Sequence, residues 1–139
     1  MSSRDIDLRM ELPPTLDAIE KFCAEFQLWR QGACANLDSF SSELLLREAL
    51  TNSVVHGCSG DPGKRISCVL RAKRDRVVIA IRDEGAGFDW RAAWDRQAEP
   101  EDTHGRGIEI FRRYANAVRF NPKGNSVTLV KRFQRVNEI

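Results

Sequence analysis

The sequence has no uninterrupted apolar stretch of membrane-spanning length and no N-terminal apolar run of signal-peptide length, so neither a transmembrane helix nor a secretory leader is read from it. It also lacks an excess of charge of one sign. Its 22 basic and 20 acidic residues leave a formal net charge of +2, which argues against a protein that coats nucleic acid through many phosphate contacts. The four cysteines, Cys23, Cys34, Cys58 and Cys68, form no CxxC pair and no Cys/His cluster of zinc-site spacing. They read as free thiols in a reduced, cytoplasmic protein. Low complexity, internal repeats and linkers are absent as well.

What is present describes one ordinary globular domain, spanning 1–139. Apolar residues make up 42% and charged residues 30% of the chain, a balance unlike that of disordered or collagen-like sequences. A chain of this length buries roughly two-thirds of its unfolded surface without a staple. Arginine supplies 17 of the 22 cations, either as a surface that pairs with carboxylates or phosphates or as solvated charge.

Ile6, Leu8, Met10 and Leu12 alternate with polar residues and predict a half-buried strand ended by Pro13 and Pro14. Helical spacing of Leu16, Ile19, Phe22, Cys23 and Phe26 predicts a helix from Thr15 to about Trp29. Asp38 or Ser39 offers the N-cap of a second helix running to His56, with Gly57 as its stop. The alternating runs 66–72 and 77–81 predict an antiparallel hairpin. Residues 91–104 predict a mobile loop with a helical turn near Trp94. A short helix over 107–114 and a hairpin of 118–120 with 127–133 follow. The order β-α-α-β-β-loop-α-β-β predicts an α+β sandwich with helices on one face of a mixed, mostly antiparallel sheet.

Gly57 to Arg65 imitates a phosphate-binding P-loop, but the glycine spacing is one residue too long, Arg65 stands where Ser or Thr would bind magnesium, and a helix precedes it instead of a strand. It reads as a surface loop. Within the second helix, Glu48 and Asn52 fall within about 40° of each other and interrupt an apolar stripe. They are either helix-surface polar groups or a carboxylate base and an amide ligand facing a cleft together. Downstream, Asp83-Glu-Gly85-Ala-Gly87 follows a strand, where glycines permit close backbone approach to a ligand. His104-Gly105-Arg106-Gly107 opens a helix whose amides would point at an anion. Taken singly, each of these is also an ordinary turn or helix start.

In this order, Glu48-Ala-Leu-Thr-Asn52-Ser-Val-Val-His56-Gly57, Asp83-Glu-Gly85-Ala-Gly87-Phe88 and Gly105-Arg-Gly107-Ile-Glu-Ile110 resemble the N, G1 and G2 boxes of the GHKL ATPases, the Bergerat fold. The wording Arg47-Glu48-Ala49-Leu50-Thr51-Asn52 is most similar to that of the anti-sigma-factor serine/threonine kinases. The resemblance implies Mg²⁺ and ATP as cofactors. Asn52 would hold Mg²⁺ against the triphosphate, and Asp83 would accept a hydrogen bond from the adenine amino group. Gly85 and Gly87 would admit base and ribose, and the amides of Gly105 and Gly107 would cradle phosphates under a lid at 91–104. Glu48 would be the general base of a phosphotransfer. Arg106 either reaches the γ-phosphate or faces solvent. After Gly124 the superfamily usually has Thr or Ser supporting the adenine-binding acid through water; here Asn125 stands there, with Ser126 next. His56 and His104 read as packing or turn residues.

The implied function is an ATP-dependent kinase that phosphorylates a STAS-domain anti-sigma-factor antagonist and sequesters a sigma factor by partner switching, as a homodimer without direct contact to nucleic acid or membrane. The alternatives are a detached histidine-kinase ATPase domain, disfavoured by the lack of a His-Glu phosphoacceptor context and by the presence of Glu48, and a non-catalytic nucleotide-sensing module.

Overall fold

The computed structural model describes residues 6–95 and 106–134. Strand β1 (Ile6–Leu12) ends at the two prolines, and the Thr15 hydroxyl accepts the Ala18 amide at 3.1 Å to cap helix α1 (Leu16–Ala33). This helix runs about one turn beyond its predicted end near Trp29. Asp38 is the cap of α2 (Ser39–Asn52); its carboxylate accepts from the Ser41 amide at 2.8 Å and from the Ser41 hydroxyl at 2.5 Å. Those bonds hold the Asp38 carboxyl below the usual carboxylate range. The predicted helix to His56 is corrected: α2 stops at Asn52 and the chain widens into a π-helical turn over Ser53–Gly57.

Strands β2 (Ile66–Ala72) and β3 (Arg76–Asp83) form the expected hairpin. Helices α3 (Trp90–Asp95) and α4 (Arg106–Tyr114) precede the second hairpin of β4 (Ala117–Phe120) and β5 (Ser126–Arg132). The predicted loop at 91–104 is therefore helical through Asp95, and its remainder lies outside the described residues. Strand order is β1-β2-β3-β5-β4, antiparallel at every pairing. The expected mixed character is absent for a topological reason. β4 runs in the direction of β3, but β5 lies between them, so no parallel pair forms.

Register sorts the sheet into two faces. Leu12, Ile66, Cys68, Leu70, Ile79, Ile81 and Leu129 point to the helical layer, where Ile19, Phe22 and Phe26 of α1 and Leu45, Leu46 and Leu50 of α2 meet them. Each such side chain contributes about 1.5–3 kcal/mol by burial. Arg47 ties the two helices, pairing with Glu20 and, at 3.1 Å, with Glu43. Among the described residues no helix is long and apolar enough to cross a membrane.

All four cysteines are free and buried. Burial pushes the Cys23 and Cys34 thiols up to about 11 and the Cys68 thiol higher still. At pH 8 the native protein is expected to resist iodoacetamide at all four positions, while guanidinium-unfolded chain alkylates within minutes, as read by mass. Rapid native labelling of any of these cysteines would contradict the packing of the layer that holds it.

Candidate functional site

The π turn leaves α2 in a wider coil, with the Cys58 amide bonded to the Ser53 carbonyl at 2.8 Å. Two β-branched residues, Val54 and Val55, crowd this segment and Gly57 closes it. Its function is visible in what Gly57 touches. A β-carbon at Gly57 would stand 2.3 Å from Asp83 Cγ, and one at Gly85 would stand 2.0 Å from the Gly57 carbonyl oxygen. The end of the helix and the end of β3 are thus in backbone contact, which only glycine permits at both positions.

Asp83 is buried at this seam. Its Oδ1 accepts the Gly85 amide at 2.7 Å. Its backbone is fixed from the other side, because its amide donates to the Asn125 carbonyl at 3.0 Å and its carbonyl accepts from Asn125 Nδ2 at 2.9 Å. Asn125 is itself oriented: its Oδ1 accepts from Asn121 Nδ2 at 2.7 Å. Asn121 Oδ1 collects the amides of Gly124, Asn125 and Ser126 at 2.8, 3.0 and 3.1 Å. A single asparagine before Pro122 therefore shapes the whole β4–β5 turn. The Thr or Ser that the motif usually places after Gly124 is here an amide that clamps the Asp83 main chain. Ser126 pairs with Arg82 at the start of β5.

Between the two layers lies a cavity of about 280 Å³. Asn52, Asp83, Gly87, Gly107, Asn125 and Ser126 all border it. So do Phe88, Phe111 and Phe120, whose rings form a connected group at centroid distances of 5.7 and 6.4 Å through Phe120. Gly87 has φ +84° and no room for a β-carbon beside the Lys123 carbonyl. A β-carbon on Gly107 would meet Asn52 Nδ2 at 2.9 Å, so α4 starts directly against that amide. The cavity is thus bordered by the Asp83 carboxylate, three phenylalanine rings, and the Asn52 amide beside Gly107.

Among the described residues the Asn52 amide has no hydrogen-bond partner. None of the His, Cys, Asp and Glu side chains among them cluster in a way that could hold a metal alone. The donor set suits a hard cation that takes one protein oxygen, from Asn52, and completes its shell with phosphate and water. Glu48 stands one helical turn before Asn52, outside the cavity lining. It too has no hydrogen-bond partner among the described residues, and burial raises its carboxyl above the usual range.

Sequence reasoning missed Gly57 and Asn121 as builders of the site, and His56 as a residue bordering the cavity. Gly57 closes the first motif and reads as a helix stop, but its close approach to Asp83 was not legible, because that residue comes 26 positions later. Gly105 and the side chain of Arg106 lie outside the described residues, as does His104. Helix α3 is fastened to α4 by Arg112, whose guanidinium lies 4.4 Å over the Trp94 ring and donates to the Trp94 carbonyl.

Comparison with known proteins agrees with this geometry. The family described as the histidine kinase-like ATPase domain matches residues 12–131. The chain is 33% identical over 100 residues to the anti-sigma F factor of Oceanobacillus iheyensis, covering 66% of this chain and 67% of that protein. It is 34% identical over 59 residues to the anti-sigma F factor of Shouchella clausii, covering 39% of this chain and 40% of that one. The solved structure titled mycobacterial sensor histidine kinase MprB shares the fold at 14% identity with a TM-score of 0.52, over 93% of this chain and 100% of that chain. The chain belongs to the histidine kinase-like ATPase family, on the side of the anti-sigma-factor kinases.

Gly57→Ala is expected to push the Asp83 carboxylate off its seat, costing about 1–3 kcal/mol in urea unfolding. Gly32→Ala, inside α1 where nothing lies within 4 Å, is the control and is expected to lose no stability, gaining up to about 1 kcal/mol from helix propensity. Equal midpoints for both variants would show that the seam is not tight.

Proposed function

We propose that this protein is an ATP-dependent serine/threonine kinase that phosphorylates a STAS-domain anti-sigma-factor antagonist and, in partner switching, sequesters a sigma factor. The observation that carries the reading is the pairing of an unpartnered amide at Asn52 and a buried, clamped carboxylate at Asp83 across one cavity, with an unpartnered Glu48 a turn away. ATP fits this arrangement with adenine at Asp83, where the carboxylate accepts from the exocyclic amino group. The phosphates then lie toward Asn52 and Gly107, and by motif toward Gly105 and Arg106. Asn52 would hold Mg²⁺, which supplies charge neutralisation to the phosphoryl group.

Glu48 acts as base. It takes the proton of the antagonist's Ser or Thr hydroxyl as that oxygen bonds to the γ-phosphorus, the bond from phosphorus to the β,γ-bridging oxygen breaks, and ADP leaves. Burial without a partner suits this role, because a carboxyl raised above its ordinary value accepts a proton more readily when ionised. β1 at the edge of the sheet is consistent with a homodimer built on that strand. Cytoplasmic residence follows from the same reading.

Single-turnover transfer from Mg-ATP to a STAS substrate tests the base. Glu48→Gln is expected to slow transfer by roughly 10²- to 10⁴-fold with ATP affinity nearly unchanged. Acid-stable label on the product identifies phosphoserine or phosphothreonine, and acid-labile label would refute the reading. The pH dependence has a definite sign. The raised carboxyl stabilises the fold below its ordinary pKa, and that contribution is lost as pH rises through the raised native value. At neutral pH Glu48→Gln should therefore be no less stable than wild type by thermal melting. Wild-type transfer should rise with pH through a midpoint above the ordinary glutamate value, and that limb should vanish in the variant.

Asn52→Ala is expected to abolish most of the Mg²⁺ dependence of ADP binding in calorimetric titration, because the shortened side chain offers no ligand oxygen. Unchanged dependence would remove Asn52 from the metal site.

A further inference from the structure

Asn121 fixes more than the shape of the β4–β5 turn. Its Oδ1 takes the main-chain amides of Gly124, Asn125 and Ser126 at 2.8, 3.0 and 3.1 Å, so this atom is an acceptor and the other arm of the same amide is a donor. That donor, Nδ2, lies 2.7 Å from the Asn125 side chain, and the atom that receives it is Oδ1. Asn125 Nδ2 is thereby turned to the Asp83 carbonyl, to which it donates at 2.9 Å. Exchanging oxygen and nitrogen in either amide would set donor against donor or acceptor against acceptor.

One polar hydrogen is left over. The Asn125 amide carries two N–H bonds, the Asp83 carbonyl takes one, and no acceptor among the described residues takes the second. Asn125 is buried and borders the cavity, as Asp83 does. Of the two Asp83 carboxylate oxygens, Oδ1 accepts the Gly85 amide and Oδ2 accepts nothing among the described residues. Two residues bonded to each other at the cavity wall thus offer one spare acceptor and one spare donor, and the network fixes the polarity of the donor. A serine or threonine hydroxyl in place of Asn125 would rotate and serve as either.

We infer that Asn125 reads the nucleotide base directly: its second Nδ2 hydrogen donates to N1 of adenine while the Asp83 carboxylate accepts from the amino group on C6. The two residues then match the adenine edge, which offers a donor at C6 and an acceptor at N1. Guanine and hypoxanthine reverse both positions, with an acceptor oxygen on C6 and a donor N1–H, so each group meets its like. Asn125 is therefore a specificity-determining residue that touches the ligand, in addition to clamping the Asp83 main chain. This role rests on the proposed reading of the cavity as a nucleotide site, and not on phosphotransfer, Glu48 or a partner protein. It concerns N1, whereas the Asp83 assignment concerns the C6 amino group, so the two contacts are separable by analogues that lack one atom group each.

The test is calorimetric titration, in the presence of Mg²⁺, with ADP, with 1-deaza-ADP, which lacks the N1 acceptor, and with purine riboside diphosphate, which lacks the C6 amino group. Wild type is expected to bind 1-deaza-ADP about tenfold more weakly than ADP. In Asn125→Leu that penalty should shrink to within about twofold, while the penalty for purine riboside diphosphate persists and shows that Asp83 is still seated. Should Asn125→Leu fail to melt cooperatively, Asn125→Thr takes its place. Its hydroxyl can accept from N1–H, so the preference for ADP over inosine diphosphate should narrow severalfold. Equal wild-type affinity for ADP and 1-deaza-ADP, or discrimination undiminished in the variant, would overturn the role of Asn125 even where ADP binds through Asp83. Loss of both penalties together in Asn125→Leu would reduce Asn125 to the clamp alone and overturn it as well. Absence of any adenine-nucleotide binding by wild type would overturn the nucleotide reading itself, and the role of Asn125 with it.

Discussion

The main chain at Gly57 and the main chain at Gly85 lie so close that a β-carbon on either would overlap the other's atoms or those of Asp83. This contact joins the helical layer to the sheet beside the cavity, which Gly57 and Asp83 both border, and most of the site's geometry depends on it. It requires the wide turn over Ser53–Gly57, because that turn carries the Gly57 carbonyl to the end of β3. It seats the Asp83 carboxylate between two glycines, where Oδ1 bonds the Gly85 amide. On the far side Asn125 and Asn121 hold the same aspartate through its backbone, so the acid is fixed from both directions.

That fixation matters chemically because a carboxylate that must read one ligand edge gains from having no other geometry available. The amide at Asn52 is placed by a second close approach, the start of α4 at Gly107, so that the two polar groups of the cavity are set by different pairs of elements. Movement of α4 would alter the surroundings of the Asn52 amide while leaving Asp83 in place. Arg112 links α4 to α3 through the Trp94 ring and carbonyl. Glu48, by contrast, has no hydrogen-bond partner among the described residues, and burial raises its carboxyl.

Much of this was legible in the chain. Strand alternation predicted β1, β2 and β3 nearly to the residue, because each buries one face and the period of two has no competing reading. The three motifs foretold that Asn52, Asp83, Gly87 and Gly107 would share a site, and they border one cavity. The turn over 53–57 was not legible, since α and π coils have nearly the same side-chain pattern and differ through contacts made elsewhere. Nor was the role of Asn125, where a water-mediated Ser or Thr contact gives way to a direct amide clamp on the Asp83 backbone.

The central claim is that the cavity reads adenine through Asp83. Calorimetric titration of the wild-type chain and of Asp83→Asn with ATP and with GTP, in the presence of Mg²⁺, tests it most directly. The account predicts saturable ATP binding to wild type in clear preference to GTP, with affinity for ATP falling sharply in the variant because its amide can present NH₂ to the adenine NH₂. Equal wild-type affinity for the two nucleotides, or an unchanged ATP affinity in Asp83→Asn, would contradict it.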